Sequence, residues 1–236
     1  MKILALDSSA IAASVAVFDG ERLLAEYTLN NGNTHSETLL PMVESVLGSL
    51  SLGVSDIDLF AVSSGPGSFT GVRIGAATLK GLAFGSEKPC VEVSTLEALA
   101  YNLVGHKGLI CTVMNARRSQ VYTALFRSDG QALCRLMDDS AMAISELDEL
   151  LAKHGEQVAF TGDGYDITVS VLTSTTSAHT PERLRHQSAA SVAAVALENY
   201  KNGKYTDDRL LKVNYLRPSQ AERELMNKSK EKEERI

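Results

Sequence analysis

Cysteine, long hydrophobic runs and clustered positive charge are all scarce in this 236-residue sequence, and each shortage excludes a class of protein. Three widely spaced cysteines, Cys90, Cys111 and Cys134, with no Cys-x-x-Cys pair, predict reduced core residues of a cytosolic protein rather than a disulfide framework or a metal cluster. No apolar run approaches membrane-spanning length, and the sequence reaches Asp7 too early for a signal peptide. We therefore expect a cytoplasmic chain without membrane contact.

The balance of charge predicts that this chain does not bind nucleic acid by itself. Lysine and arginine total 23 against 29 aspartate and glutamate, a formal net charge of −6, and no basic stretch interrupts the part expected to fold. Because affinity for nucleic acid comes largely from neutralised phosphates, we expect any RNA to be reached only indirectly, through a partner that supplies the positive surface. Hydrophobic residues make up 44%, enough for the core of one large domain or two small lobes.

A glycine-rich segment, Gly65–Gly75, is the most distinctive part of the chain. It follows a strand-like run, Leu59–Val62, and a serine or threonine at its centre can cap the helix predicted over Gly71–Phe84. Gly71 and Gly75 lie one helical turn apart, so this face lets another backbone come close. The segment is either an anion cradle or a packing device. Packing is favoured because the Gly-Lys-Ser/Thr, G-x-G-x-x-G and nucleophile-elbow patterns are all missing.

The chain also contains an internal duplication. A strand, a polar turn and a second strand occur at Ile3–Leu6 with Ser14–Phe18, and again at Leu109–Met114 with Gln120–Phe126. Further predicted strands are Arg22–Leu29, Pro89–Val93, Val158–Phe160 and Lys212–Leu216, and further helices begin near Thr34, Ser94, Ser145 and Ser188. We expect an α/β fold of two lobes, each a mixed sheet with helices. The predicted first lobe is 1–106, joined by 213–226; the second is 107–212, and 227–236 is a charged, frayed tail.

The two hairpin tips carry Asp7 and Asn115 and are expected to face each other across a cleft. This arrangement resembles the actin and hexokinase-like (ribonuclease H-like) superfamily, in which two acidic tips bracket a nucleotide and its metal. Asn115 stands where the second carboxylate is needed, so Asp7 is either a turn residue or a metal-linked acid, and the turn is favoured. Gly162 and Gly164 are candidates for a vestigial nucleotide contact or for a plain turn.

Several short motifs together resemble the TsaB (YeaZ) family, the bacterial partner subunit in making N6-threonylcarbamoyladenosine on tRNA. The motifs are Ile3–Ser8, Thr34–Glu37 with Leu40-Pro41, Gly65–Gly75, Val93–Leu96, Ala116–Arg118 with Val121-Tyr122, and Tyr215–Arg217. The resemblance implies that this chain is not itself an enzyme and needs no cofactor. It also implies pairing with a TsaD-type catalytic paralogue, a TsaE-type ATPase as a further partner, and a homodimer formed through the first lobe. Asn115 departs from the family, which usually has an acidic residue there.

The predicted partner surface lies on two helices of the first lobe. Apolar residues between Leu39 and Leu50 form a stripe wider than one buried face needs, and Pro41 is expected to kink that helix. An apolar face left over after the core is covered marks a partner site, whereas the alternative is that both helices are simply buried. The resemblance favours an interface, and its candidates are Leu39, Met42, Val43, Val46, Leu50, Gly71, Arg73, Ile74, Gly75 and Thr78.

No set of residues in the sequence indicates a catalytic or metal site. The metal site of the family's catalytic paralogue needs two histidines one helical turn apart, and here His35 has Leu39 at that spacing. The other four histidines have no metal-ligand spacing, and no protease motif is present. Two other hypotheses stay open: an ATP-dependent enzyme that uses Asp7 in the cleft, and a self-associating regulatory protein.

Overall fold

The computed structural model of the chain describes residues 1–217, which form two five-stranded sheets and six α-helices. The predicted tail at 227–236 and part of the predicted 213–226 segment lie outside the described residues. The first half contains β1 (Lys2–Asp7), β2 (Ala13–Asp19), β3 (Arg22–Leu29), α1 (His35–Ser49), β4 (Leu59–Gly65), α2 (Phe69–Ala83), β5 (Cys90–Ser94) and α3 (Thr95–Tyr101). The second half contains β6 (Lys107–Asn115), β7 (Gln120–Asp129), β8 (Leu133–Ala143), α4 (Ile144–Ala152), β9 (Val158–Thr161), α5 (Tyr165–Val169), β10 (Ser177–Ala178) and α6 (Ala189–Lys201).

The two sheets have the same topology. Their strand orders are β3-β2-β1-β4-β5 and β8-β7-β6-β9-β10. In each sheet the first three strands form an antiparallel meander, and the fourth and fifth run parallel to the first. This repeat confirms the predicted two-lobed, duplicated α/β fold of the actin and hexokinase-like type.

The central strands of the first sheet, β1, β2 and β4, are mostly apolar and almost fully buried, as expected where helices cover both faces of a sheet. Strand β4 is buried at every position. Alternate residues of β1 and β4 point to opposite faces, so that Leu4 and Phe60 join a core with α1 and α2, and Ile3 and Leu59 join one with α6. Because Ile3 pairs with Leu59, and Leu4 with Phe60, paired residues of β1 and β4 point to the same face of the sheet. Each core therefore receives side chains from both strands.

The last helix of each half packs on the other lobe. Helix α6 packs against β1 and β2 of the first sheet, and α3 packs against β6 and β7 of the second. The lobes predicted as 1–106 and 107–212 therefore exchange one helix each in the structure. The predicted return of the chain to the first lobe begins before residue 213, since Leu211 is buried in the core with α1 and α2.

Helix α1 begins where predicted, with Thr34 as its N-cap; the Thr34 side chain makes no capping bond, and the backbone N–H of Glu37 donates to the Thr34 carbonyl at 3.0 Å. Two local predictions need correction. Helix α1 is continuous through Pro41, which stands exposed on its outer side. The segment predicted as the strand Lys212–Leu216 is irregular, since its only backbone bond to the sheet is from Asn214 N–H to the Ser64 carbonyl at 2.7 Å.

Candidate functional site

A cleft of about 700 Å³ lies between the lobes and brings together four segments that the sequence had singled out. They are the two hairpin tips, the glycine turn and the Tyr215–Arg217 motif. The predicted facing of the two tips is confirmed. The residues that line the cleft are Ser9, Ala10, Ile11, Pro66, Gly67, Ser68, Phe69, Thr70, Val72, Met114, Asn115, Ala116, Arg117, Tyr122, Asp163, Asn214, Tyr215, Leu216 and Arg217.

Asp7 is bound inside its own turn rather than displayed in the cleft. Its Oδ1 accepts hydrogen bonds from the N–H and the hydroxyl of Ser9, at 2.8 and 2.6 Å, and its Oδ2 accepts one from the Ser63 hydroxyl. The residue is 1% exposed. Burial raises the pKa of the Asp7 carboxyl, and the bonds from Ser63 and Ser9 oppose part of that rise. These contacts support the turn interpretation, since both carboxylate oxygens are already engaged.

Asn115 forms the matching turn at the tip of the second lobe. Its Oδ1 accepts a hydrogen bond at 2.8 Å from the N–H of Arg117, two residues later in the chain. Asp7 accepts the equivalent bond from the N–H of Ser9. The N–H of Asn115 donates to Oδ1 of Asp163 at 3.1 Å. Burial raises the pKa of the Asp163 carboxyl. The two tips thus share the backbone bond that closes the turn, but only the Asp7 side chain accepts further bonds from hydroxyls and is sealed from solvent.

The glycine segment packs against the turn of the first hairpin. A Cβ at Gly67 would overlap the Ser9 carbonyl oxygen, one at Gly71 would overlap the Ser8 carbonyl oxygen, and one at Gly75 would lie 2.6 Å from the Ser8 hydroxyl. The geometry supports the packing interpretation, with Ser68 capping α2 through the N–H of Gly71 at 3.3 Å. The backbone that approaches belongs to this same chain, so Gly71 and Gly75 are not available to a partner.

Gly65 and Gly162 occupy equivalent places at the ends of β4 and β9. Their φ angles are +113° and +119°, a region that side chains rarely adopt. A Cβ at Gly162 would overlap the Val113 carbonyl oxygen, and one at Gly164 would lie 3.0 Å from the same atom. Packing against Val113 therefore accounts for glycine at 162 and favours it at 164, with no need for a bound nucleotide.

The predicted partner surface on α1 needs correction. Its buried residues face the core of this chain because α1 lies directly on β2. The members of the predicted interface that are buried in this way are Leu39, Met42, Val43 and Val46. Leu50, Ile74 and Thr78 are partly accessible, and Arg73 is exposed. The accessible part of the prediction therefore consists of Leu50, directly after α1, and three residues of α2.

A segment near the end of the described chain straps the two lobes together. Tyr215 stacks on Phe69 with ring centroids 4.9 Å apart and its hydroxyl accepts a bond from Arg73 Nε at 2.6 Å. Arg217 crosses to the second lobe, where its guanidinium donates to Gln120 and lies 5.8 Å from the Tyr122 ring centroid. In the sequence, Tyr122, Tyr215 and Arg217 belong to the motifs that resemble the family, and no place in a site was predicted for them. Only the folded chain brings them together, since Arg73 and Tyr215 are 142 positions apart.

Histidine and cysteine have structural surroundings. His35 Nε2 lies 2.6 Å from the Ala10 carbonyl oxygen, and within residues 1–217 no three His, Cys, Asp or Glu side chains gather as metal ligands. Cys90 and Cys111 are buried free thiols, and burial raises their pKa values to about 11 and about 12. Cys134 is exposed, which corrects its prediction as a core residue. Over the described range, every helix is too short or too polar to cross a membrane.

The sequence has curated relatives whose names agree in one activity. The "tRNA threonylcarbamoyladenosine biosynthesis protein TsaB" of Bacillus subtilis (strain 168) is 35% identical over 162 residues, which cover 69% of this chain and 71% of that protein. The chain belongs to the TsaB (YeaZ) family. The Escherichia coli (strain K12) protein of the same name is 37% identical over 131 residues, covering 55% of this chain and 56% of its own length. The family model described as "TsaD: tRNA N6-adenosine threonylcarbamoyltransferase" matches residues 22–225, so this TsaB-family chain and that transferase are related in sequence.

Solved structures agree on the fold. YeaZ from Pseudomonas aeruginosa superposes with a TM-score of 0.77 at 23% identity, covering 91% of this chain and 99% of that one. A second Pseudomonas aeruginosa chain, described as an uncharacterized protein with similarity to peptidase YEAZ, gives a TM-score of 0.79 at 24% identity, with 92% and 99% covered. At these identities the likeness concerns the two-lobed architecture alone.

Proposed function

We propose that this chain acts in the cytoplasm as a non-catalytic partner of a TsaD-type transferase in the biosynthesis of N6-threonylcarbamoyladenosine on tRNA. The pathway is supported by the names of the curated TsaB relatives. A partner that shares the fold is supported by the match to the TsaD family model. A TsaE-type ATPase is the proposed third component.

The observation that carries the non-catalytic role is the state of the two hairpin tips. Asp7 is buried with both carboxylate oxygens engaged by Ser9 and Ser63. Asn115 at the second tip supplies an amide whose oxygen caps its own turn. A metal–phosphate site needs hard, preferably charged oxygen donors that face the ligand. Neither tip offers one to the cleft.

The partner surface we propose is an exposed stripe along α2. Arg73, Ala77, Gly81 and Phe84 are spaced by four, four and three residues, lie on one helix face and are all exposed. Phe84 is 79% exposed, and a Cβ at Gly81 would meet nothing within 4 Å. Small residues between a cation and an aromatic ring allow a second helix to approach closely. Thr78, Ile74 and Leu50 border this stripe as its less exposed neighbours, and a homodimer of the isolated chain is proposed to use the same face.

The decisive experiment is reconstitution with the transferase of the same organism. We expect the two chains to co-elute in size-exclusion chromatography and transfer of the threonylcarbamoyl group to require both, with the ATPase present for turnover. Transfer by this chain alone would overturn the non-catalytic role. Failure of the two chains to associate would overturn the partnership.

A pair of matched variants tests the proposed stripe. Phe84→Arg should weaken association with the transferase about tenfold or more, because an exposed aromatic anchor is replaced by a charge. Val171→Arg, on the second lobe, changes a residue that is 55% exposed and should leave association unchanged. Equal effects of the two variants would place the interface elsewhere.

The cleft of this chain gives less support to an ATP-dependent enzyme. Calorimetry with ATP and magnesium distinguishes the two functions: micromolar binding that is abolished by Asp7→Ala would favour the enzyme, whereas no heat of binding agrees with the sealed carboxylate.

A further inference from the structure

Positive charge is concentrated around the cleft although the chain as a whole is acidic. Within residues 1–217, Arg127, Arg135, Arg185 and Arg209 each form an ion pair with a carboxylate. Over the same range, the arginines at the cleft and on the adjoining face of α2 have no carboxylate within ion-pair distance; they are Arg73, Arg117, Arg118 and Arg217. Arg22 and Arg183 also lack an ion pair in this range, so the cleft is distinguished instead by its lining, in which Arg117 and Arg217 occur with the carboxylate of Asp163 alone among the described residues.

The tip that carries two of these arginines has an unusual backbone. Arg117, Arg118 and Ser119 have φ angles of 64°, 56° and 55°, three successive non-glycine residues in the left-handed region. The turn is held by bonds from Ala116 N–H to the Gln120 carbonyl at 3.0 Å and from Arg117 N–H to Asn115 at 2.8 Å. Strained backbone that is fixed by its surroundings is concentrated at ligand-binding sites. Here it leaves Arg117 and Arg118 exposed at the mouth of the cleft.

Aromatic rings lie beside these cations. Phe69, Tyr122 and Tyr215 line the cleft, and Tyr215 is 41% exposed. Within residues 1–217, Asp163 supplies the one carboxylate among the lining residues, and it accepts a bond from Asn115. Burial raises the pKa of that carboxyl. Arginines that can neutralise phosphates, next to rings on which bases can stack, are the chemistry of single-stranded nucleic-acid binding.

We propose that the mouth of this cleft binds RNA directly, with Arg117 and Arg118 on backbone phosphates and the Tyr122–Tyr215 side of the cleft against an unpaired base. This inference rests on the proposed function: the curated relatives are named for a tRNA modification, so RNA is the polyanion that we expect this chain to meet. An acidic peptide would use the arginines but would leave the ring faces unexplained. The proposal is an alternative to the expectation from net charge that a partner supplies the positive surface, and the titration below decides between them.

The test is titration of a fluorescein-labelled, unmodified tRNA transcript with the full chain, alone and mixed with the transferase. We expect Arg117→Gln with Arg118→Gln to weaken binding by about tenfold at low salt and to reduce the slope of log affinity against log salt by about 1 to 2, as loss of two phosphate contacts requires. Arg22→Gln is the matched control, since Arg22 is exposed at the opposite end of the first sheet and has no ion pair within residues 1–217. It should bind as the unmodified chain does.

The outcomes separate this inference from the proposed function. If the double variant binds tRNA as tightly and with the same salt slope as Arg22→Gln, alone and in the mixture, the RNA site is wrong even though association with the transferase may be intact. If the two proteins do not associate, the titration of the chain alone still decides. Arg118→Glu, a charge reversal at an exposed position, guards against misfolding of the double variant and should weaken binding further than Arg118→Gln. Equal binding by these two single variants would overturn the role of Arg118.

Discussion

The two lobes share one topology but cover it differently. In the first lobe α1 and α2 have 15 residues each, whereas their counterparts α4 and α5 in the second have nine and five. The first tip is sealed by the glycine face of α2, and the second tip stands exposed with its arginines. The long helix both closes the first tip from inside and presents an outer stripe, whereas the short helix leaves its tip open. The same duplicated topology therefore has a buried hairpin tip in the first lobe and an exposed one in the second.

The largest expected effect is on the tight side of that contrast. Gly71→Ala should lower the free energy of unfolding by about 3 kcal/mol or more, because its Cβ would overlap the Ser8 carbonyl oxygen and force backbone to move. Gly81→Ala, in the same helix with open space around it, should raise the free energy of unfolding by about 0.5 to 1 kcal/mol. Urea unfolding of both variants measures the difference. Similar values would mean that the glycine face is not closely packed.

The second-largest effect on stability is expected at the hairpin tips, and it should differ between them. Asp7→Ala removes the acceptor for three hydrogen bonds in a buried turn and should destabilise by about 2 to 3 kcal/mol, because the Ser9 and Ser63 donors are left without that partner. Asn115→Ala removes one bond at an exposed turn and should cost about 0.5 to 1 kcal/mol. Thermal unfolding by circular dichroism compares them. Equal losses would contradict the description of only one tip as sealed.

Buried aspartates of the two lobes should respond to pH in opposite directions. Although burial acts to raise it, bonds from the Thr173 and Ser174 N–H groups and from the Thr173 hydroxyl to the carboxylate lower the pKa of Asp148 to about 2. Its contribution, roughly 2 kcal/mol, is present above the unfolded pKa and is lost as pH falls from 3.8 towards about 2. The penalty of Asp148→Asn should therefore shrink in acid.

Asp7 has the reverse sign. Its pKa is raised in the folded state, so the wild-type chain loses stability as pH rises through that raised value, and the penalty of Asp7→Asn should shrink with rising pH. Urea unfolding of the wild type and both asparagine variants across the acid range measures the two slopes. Parallel slopes would show that the two carboxyls have similar surroundings.

The smallest expected effect concerns the strap that joins the lobes. Tyr215→Ala removes the stacking on Phe69 and the bond to Arg73, and should cost about 1 kcal/mol. Tyr27 is equally exposed, at 41%, on the edge strand β3, and Tyr27→Ala should cost about half as much or less. Hydrogen exchange of the β6–β7 tip adds a second readout, since release of the strap should speed exchange at Gln120 only in the Tyr215 variant. Unchanged exchange would mean that the strap does not restrain the second lobe.

The sequence predicted elements whose signals are local. The hairpins, the glycine turn and helix α6 were predicted within a few residues because alternation, caps and glycine spacing act over short ranges. The duplication was predictable because both halves keep the same order of strand and polar turn. The interface prediction on α1 was largely wrong because a wide apolar stripe is equally typical of a helix buried by its own sheet, as Val43 and Val46 are.

Composition, periodicity and the repeated hairpin were enough to predict the class of fold and to favour packing for the glycine segment, because these signals lie within short stretches of the chain. The facing of the two tips was predicted from the duplicated fold. Only the tertiary structure decided that α3 and α6 pack on opposite lobes, that both oxygens of Asp7 are turned inward, and that Gly81 rather than Gly71 faces outward. It also placed Arg117 and Arg217, which have no carboxylate partner within residues 1–217, in the lining of one cleft. These outcomes depend on contacts between residues far apart in the chain, which no local pattern encodes.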